Sequence, residues 1–479
     1  MVAGHWVGIA LVLLLVVVAS VLAGRQVHTA NDFQIGGRRA SAPMVTGALV
    51  GTLVGGASTI GTAQLAYTQG MVAWLFTLGG GISLLIMVVF FSRPFSDSGL
   101  TTAPAMIGRA FGKLPRSLCA LLAGSGSFLS VVSQMLSGVA LLTALGAWIS
   151  PLAATAATVV LIMAYVLFGG AIGASYVGIV KTLTLALSIG ACALIAMRLG
   201  GGLGTMVRDP SLPPDYFSLL SRGVAVDLGA LASIVVGILT EQAYLQALIG
   251  ARTVRTGRVG ALTAAVVIPT IGSFGVVVGL YMRLHRPGIT SSMALPLFIM
   301  ENVPSVFAGV MLATLLVALV GTGAGLALGV STVIYNDLVR PALKKTWGDR
   351  TALWSTRGLL LAVLIAAAVI SMAAAGGVIL NYAVLSMGLR GSVAFAPLLA
   401  ALFWRERVPA WSIILAMVTG PTVTILGTIF LSEAVNWVVV GAASGLAIIA
   451  LGALVKALTG TPDQVAGTHD KGAVTTDGP

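Results

Sequence analysis

Apolar residues run through this chain in blocks of about twenty, with polar residues gathered in short intervals between them. Each block is long enough to cross a hydrocarbon core. The pattern predicts thirteen spans, at 6–23, 43–69, 71–92, 116–147, 152–168, 173–198, 224–250, 259–282, 305–336, 354–373, 376–402, 410–431 and 434–456. No ten-residue alternating pattern argues for a barrel, and every backbone group in lipid must be paired internally. The expectation is an all-α polytopic membrane protein. One block departs from the pattern. Residues 55–70, "GGASTIGTAQLAYTQG", place glycines, hydroxyls and two glutamines inside a span. Paired glycines loosen a helix, and hydroxyl and amide side chains compete for its backbone bonds. Such a stretch survives at membrane depth where it lines a cavity or is buried in protein. The helix is expected to break near Val54–Ala57; tight packing by small residues is the other use of the same composition.

Composition agrees with the pattern. Of 479 residues, 58% are hydrophobic and 8% charged, whereas soluble domains carry roughly 25% charged residues. The net charge of +12 fits cytoplasmic loops better than nucleic acid, because basic residues collect on the inner side. With the N-terminus outside, 20 Lys and Arg fall on inner loops and helix ends. Arg198, Arg208, Arg222, Arg283 and Arg286 are the 5 on the outer side. That asymmetry places the C-terminus in the cytoplasm of a cell whose inner membrane holds the chain. The N-terminal apolar run is read as a retained span, since it lacks a basic n-region. Residues 457–479 read as a disordered tail. Cys119 and Cys192 lie in apolar segments as packing residues, and the four histidines are scattered singly. No nucleotide fingerprint, metal-ligand cluster or nucleophile–base pair occurs at usable spacing, so no enzyme and no cofactor are expected.

The run "NDFQIGGRRASAP" followed by "GTLVGGASTIGTAQLAYTQG" resembles the opening signature of sodium:solute symporters. A second signature of that family, a helix ending in S-T and D before a basic cluster, is matched by "VGTGAGLALGVSTVIYNDLVRPALKK", residues 320–345. The resemblance covers nearly all of residues 6–456 and implies a LeuT-like fold with two five-helix inverted repeats. These would be residues 43–198 and 224–402, joined by an outer loop at 199–223. One extra helix lies in 1–42 and two follow in 403–456. It implies a symporter that moves a small organic solute on an inward sodium gradient. The carried-over ion positions are Gly51, Val54, Ala318, Gly321 and Thr322.

Here the chain departs from the family. A hydroxyl is usual where Gly321 stands, and an aspartate where Gly178 stands in "YVGIVK". Lys181 lies one turn from that missing carboxylate, on the same helix face. A lysine amine there either replaces the ion, fixed or by taking and losing a proton, or snorkels to the headgroups. Proton coupling or ion-independent exchange is thus the alternative to sodium drive. Arg390 lies mid-span, where an arginine costs roughly 2.5–3.5 kcal/mol and needs protein or water around it. It faces either an anionic solute, most simply a carboxylate, or Glu241 in a structural pair. Ser58, Thr59, Thr77, Glu241, Gln242 and Arg390 form the expected solute site. Ser127, Ser130, Gln134 and Ser137 form one polar stripe on a helix, bordering the path or packing tightly. A sensor or a channel built on the same fold are the competing classes. Nothing in the sequence speaks to oligomeric state.

Overall fold

The computed structural model describes residues 2–24, 39–100, 102–146, 148–340, 349–374, 376–431 and 435–459. Most of the first motif's loop (31–38), Lys344, Lys345 and residues 460–479 of the expected tail lie outside these. Among the described residues the chain is helical apart from one isolated β-bridge, Ala40 to Ala251. Nine helices among the described residues are long and apolar enough to cross a membrane, ten when a pair bent by 50° counts as one. Ala3–Val12, Ala42–Leu53 and Pro151–Val166 are shorter apolar helices. The protein is a multi-pass membrane protein.

The chain opens with α1 (Ala3–Gly24) and α2 (Ala42–Leu53). A π-turn at Ala57–Gly61 leads into α3 (Thr62–Gln69). Gly70 ends α3 with φ +77, and a side chain there would run into the Tyr216 backbone. Only glycine serves this turn, because the left-handed region costs any other residue strain. The return leg is α4 (Leu75–Ile86) and α5 (Ser92–Asp97), followed by α6 (Ala103–Phe111) and α7 (Lys113–Ala144).

Helical bonding then runs without interruption through α8 (Pro151–Leu199), 49 residues where two separate spans were expected. A straight helix of that length would be about 74 Å long, more than twice the roughly 30 Å hydrocarbon core. Tyr165 and Lys181 both reach the surroundings of Gly321, so both arms of α8 pass the same level of the bundle. The short α9 (Leu203–Val207) leads to α10 (Val224–Thr240) and α11 (Gln242–Ile249). These are the bent pair, where an unbroken span over 224–250 was expected. Glu241 between them is extended, at φ −76 and ψ 124. After them come α12 (Val254–His285), α13 (Ala294–Asn302) and α14 (Ser305–Val333). The chain closes with α15 (Asp349–Ala373), α16 (Ile379–Phe403), α17 (Ala410–Phe430) and α18 (Trp437–Thr459).

Helix α14 packs against α1, α7, α8 and α15, while α2 lies against α8 and α12. Small residues allow these approaches, as they do wherever helices associate without a hydrophobic drive between them. One close approach is between α2 and α8. A side chain on Gly178 would meet the Gly47 carbonyl group and stand 3.4 Å from Ala48 N. The bridge from Ala40 to Gly250 and Arg252 ties the start of α2 to the end of α11. Both broken helices are thereby fastened together at one end.

Candidate functional site

The first break frees backbone groups that the helix would otherwise satisfy. Val54 caps α2 at φ −86 and ψ 81, so the ladder stops at its amide. Ser58 Oγ donates to Leu53 O, and Thr59 Oγ1 donates to Gly55 O at 2.8 Å. Gln134 Oε1, from α7, accepts the freed Gly56 N–H at 2.9 Å. These groups answer the requirement that buried backbone polar atoms be paired. Substituting Gln134 by leucine strands the Gly56 N–H, at a cost of about 1–3 kcal/mol. Thermal unfolding in detergent should show that loss for Gln134→Leu and a smaller one for Gln134→Glu.

Beside this break lie the residues expected from the sequence to form an ion position. Lys181 is 2% exposed. Its Nζ donates to Gly51 O, to Ala318 O at 2.6 Å and to Thr322 Oγ1 at 2.8 Å. Thr322 Oγ1 itself donates to Gly51 O at 3.0 Å, leaving its lone pairs for the amine. Three acceptors match the three N–H bonds of an ammonium, which has no acceptor of its own. The structure thus brings Gly51, Ala318 and Thr322 together on the nitrogen of Lys181. Val54 and Gly321 are not among the partners of the amine. A Cβ at Gly321 would stand 3.7 Å from Lys181 Nζ and 3.3 Å from Tyr165 Oη, so a hydroxyl there would crowd the amine. No carboxylate fits at position 178, because the backbone of α2 occupies its space. The amine enters instead, from one turn further along α8.

The second break carries the other charges. At 2.7 Å, Arg390 Nη1 pairs with Glu241 Oε2, and the two side chains are 2% and 1% exposed. Glu241 N bonds Ile238 O instead of completing the α-helical bond to Gly237. The Gly237 carbonyl is taken up by Arg390 Nε at 3.2 Å and Nη2 at 3.0 Å. Ser127 and Ser386 accept from Nη1 at 3.4 and 3.3 Å, and Ser127 donates to Glu241 Oε2 at 3.4 Å. Ser386 also shares a 2.6 Å hydrogen bond with Ser130. One arginine therefore neutralises the carboxylate at the bend and caps the carbonyl the bend releases. The structural pair weighed from the sequence is present.

The expected solute residues are not all gathered. Arg390 and Gln242 line a cavity of about 20 Å³ with Ser127, Thr240 and Cys119, room for about one water. The hydroxyls of Ser58 and Thr59 are spent on the first break, and Thr77 Oγ1 donates to Trp74 O at 3.2 Å. Short hydroxyls on helices commonly bond back to their own backbone. The polar stripe on α7 has a use the sequence left open. Ser127 and Ser130 serve the second break, Gln134 the first, and a side chain on Gly56 would collide with Ser137. Ser386 was missed, although it lies one turn before Arg390 on the same face of α16.

The fold is that of solved transporters. A structure of a Na+-coupled sialic acid symporter, substrate-bound and outward-open, superposes with a TM-score of 0.79 at 17% identity. The match covers 94% of this chain and 97% of that one. MhsT in complex with L-phenylalanine matches with a TM-score of 0.57 at 13% identity, over 88% and 99% of the two chains. A closed nucleobase-cation-symport-1 transporter with bound bromovinylhydantoin gives 0.54 at 13%, over 90% and 96%. At these identities the likeness shows fold alone. The high-affinity choline transporter 1 of Drosophila melanogaster is 26% identical over 196 residues, 39% of this chain and 31% of that one. The match thus spans about a third of the curated relative's length. A model of the sodium:solute symporter family matches residues 33–420. With the first sequence signature inside that range from Phe33 onward, the second wholly inside it and the fold to match, this chain belongs to the sodium:solute symporter family.

Proposed function

We propose that the protein is a secondary active transporter carrying a small organic solute across the cytoplasmic membrane, and that the Lys181 ammonium stands where a coupling cation would bind. Family membership supports a sodium-driven symporter for a small solute. The second reading, proton-coupled or ion-independent transport, is favoured by one observation: Lys181 Nζ lies on Ala318 O, Thr322 Oγ1 and Gly51 O at once. Sodium here is transported cargo, not a resident cofactor, and an ammonium at the same oxygens opposes its entry by direct repulsion. Two broken helices, opening at Val54 and Glu241, support inverted repeats over 43–198 and 224–402, as in transporters that bind at such breaks. The distribution of basic residues supports an N-terminus outside and a C-terminus in the cytoplasm.

The solute site proposed is the region between the breaks, with Ser58, Thr59, Thr77, Gln242 and the Glu241–Arg390 pair around it. A carboxylate solute would compete with Glu241 for the guanidinium once that pair opens. Purified protein in proteoliposomes, screened against small carboxylates, neutral polyols and quaternary amines, tests the reading. Saturable uptake with counterflow is the expected result. Flux without counterflow would mean a channel, and solute binding without flux would mean a sensor.

A further inference from the structure

We infer that a cavity at the basic end of the bundle, apart from both breaks, holds the headgroup of an anionic phospholipid. The cavity measures about 460 Å³ and lies between the end of α5, helix α6 and the end of α16. That size is in the range of small-molecule sites, roughly 300–1,000 Å³. Three guanidinium groups line it, those of Arg93, Arg109 and Arg405, against one carboxylate, Asp97. Its net charge is therefore positive, and it selects an anion.

Two of the cations are available to a ligand. Among the described residues neither Arg93 nor Arg109 forms an ion pair, and Arg405 has only an exposed 3.7 Å contact with Glu406. Arg109 is anchored by donating to Ser98 O at 2.8 Å, which fixes its guanidinium on the wall. The floor is apolar, built by Leu100, Met106 and Leu402.

The occupant is identified by what borders the cavity. Phe403, on its wall, is 44% exposed, and the neighbouring Trp404 is 46% exposed. Phe403 leans edge-on against Phe91 at 6.0 Å, so it is fixed at the rim. Helix α5 and the end of α16 form the last turns of membrane spans, which places this rim where headgroup and acyl chain meet. Aromatic side chains favour that level of a bilayer. A soluble anion would use the guanidinium groups and leave the apolar floor and rim idle. A phospholipid uses both, its phosphodiester on the arginines and its chains along Phe403. Basic recesses between transmembrane helices on the cytoplasmic side bind anionic headgroups by this chemistry.

The test is native mass spectrometry of the full-length protein, equilibrated with equal parts phosphatidylcholine and phosphatidylglycerol. Wild type should retain phosphatidylglycerol and gain thermal stability from it, but not from phosphatidylcholine or inorganic phosphate. Arg93→Gln/Arg405→Gln should lose roughly tenfold or more of that retention, since each basic group near a membrane surface contributes measurably to anionic-lipid binding. Arg252→Gln/Arg255→Gln removes equal charge from exposed residues at the same end, away from the cavity, and should retain lipid as wild type does. Equal loss in the two double variants would overturn the site in favour of general surface charge. Full stabilisation by inorganic phosphate would overturn the lipid in favour of a soluble anion. Size-exclusion profiles of the double variants guard against misfolding, and a misfolded pair is replaced by Arg93→Lys/Arg405→Lys, which should keep retention.

Discussion

Arg390→Gln should cost the protein several kcal/mol of stability, and Glu241→Gln in the same chain should restore much of it. The pair is almost completely buried and the carboxylate has no other cation within ion-pair distance among the described residues. Removing one partner of a buried pair costs about 3–5 kcal/mol, mainly because the other charge is left without compensation. The double variant removes both charges and leaves two amides, which two serines and the Gly237 carbonyl can still satisfy. Some deficit should remain, because Gly237 O loses two guanidinium donors that glutamine replaces with one amide. Thermal unfolding of the four proteins in one detergent gives the coupling directly. A stable Arg390→Gln variant that fails only in uptake would assign the arginine to the solute instead.

The second large effect is expected at Lys181. Replacing it with alanine withdraws a cation from two carbonyls and a hydroxyl that all aim at one point. Each hydrogen bond from a charged donor is worth about 1.5–3 kcal/mol, and these three join α2, α8 and α14. Uptake in choline buffer should fall by more than tenfold in Lys181→Ala. Lys181→Met, which keeps length without charge, should fall as far, showing that charge and not packing is lost. If the amine takes its proton outside and releases it inside, wild-type uptake quickens as the outer medium is acidified. That dependence should vanish in both variants. Uptake in Lys181→Ala at the wild-type rate and with the wild-type pH profile would leave the amine without a role in coupling.

How much of this could be read from the chain varies residue by residue. The break at Val54 was legible, because paired glycines and hydroxyls weaken a helix locally and a family motif marks the place. The break at Glu241 was not. The "LTEQA" segment contains no glycine or proline, and its bend rests on an arginine 149 positions later in the chain. Lys181 was legible as an anomaly, a cation where the pattern asks for oxygen ligands, but its three bonds depend on how closely α2 and α8 approach. The solute hydroxyls illustrate the opposite case. The sequence groups Ser58, Thr59 and Thr77 at an expected solute site, while in the structure their hydroxyls bond to nearby backbone carbonyls. Gln134 was visible as part of a polar stripe, yet its role as a cap needed a backbone amide 78 residues away.

The central claim is that a tethered ammonium holds the ion position, and sodium-dependent stabilisation of the purified protein tests it without knowledge of the solute. A ligand that binds only the folded state raises stability in proportion to the logarithm of its concentration once the site fills. Sodium is therefore titrated against choline at constant ionic strength while unfolding is followed. The account predicts no sodium-specific shift in wild type and the appearance of one, if any, only in Lys181→Ala. A saturable shift in wild type that survives Lys181→Ala and disappears in Thr322→Ala would contradict it.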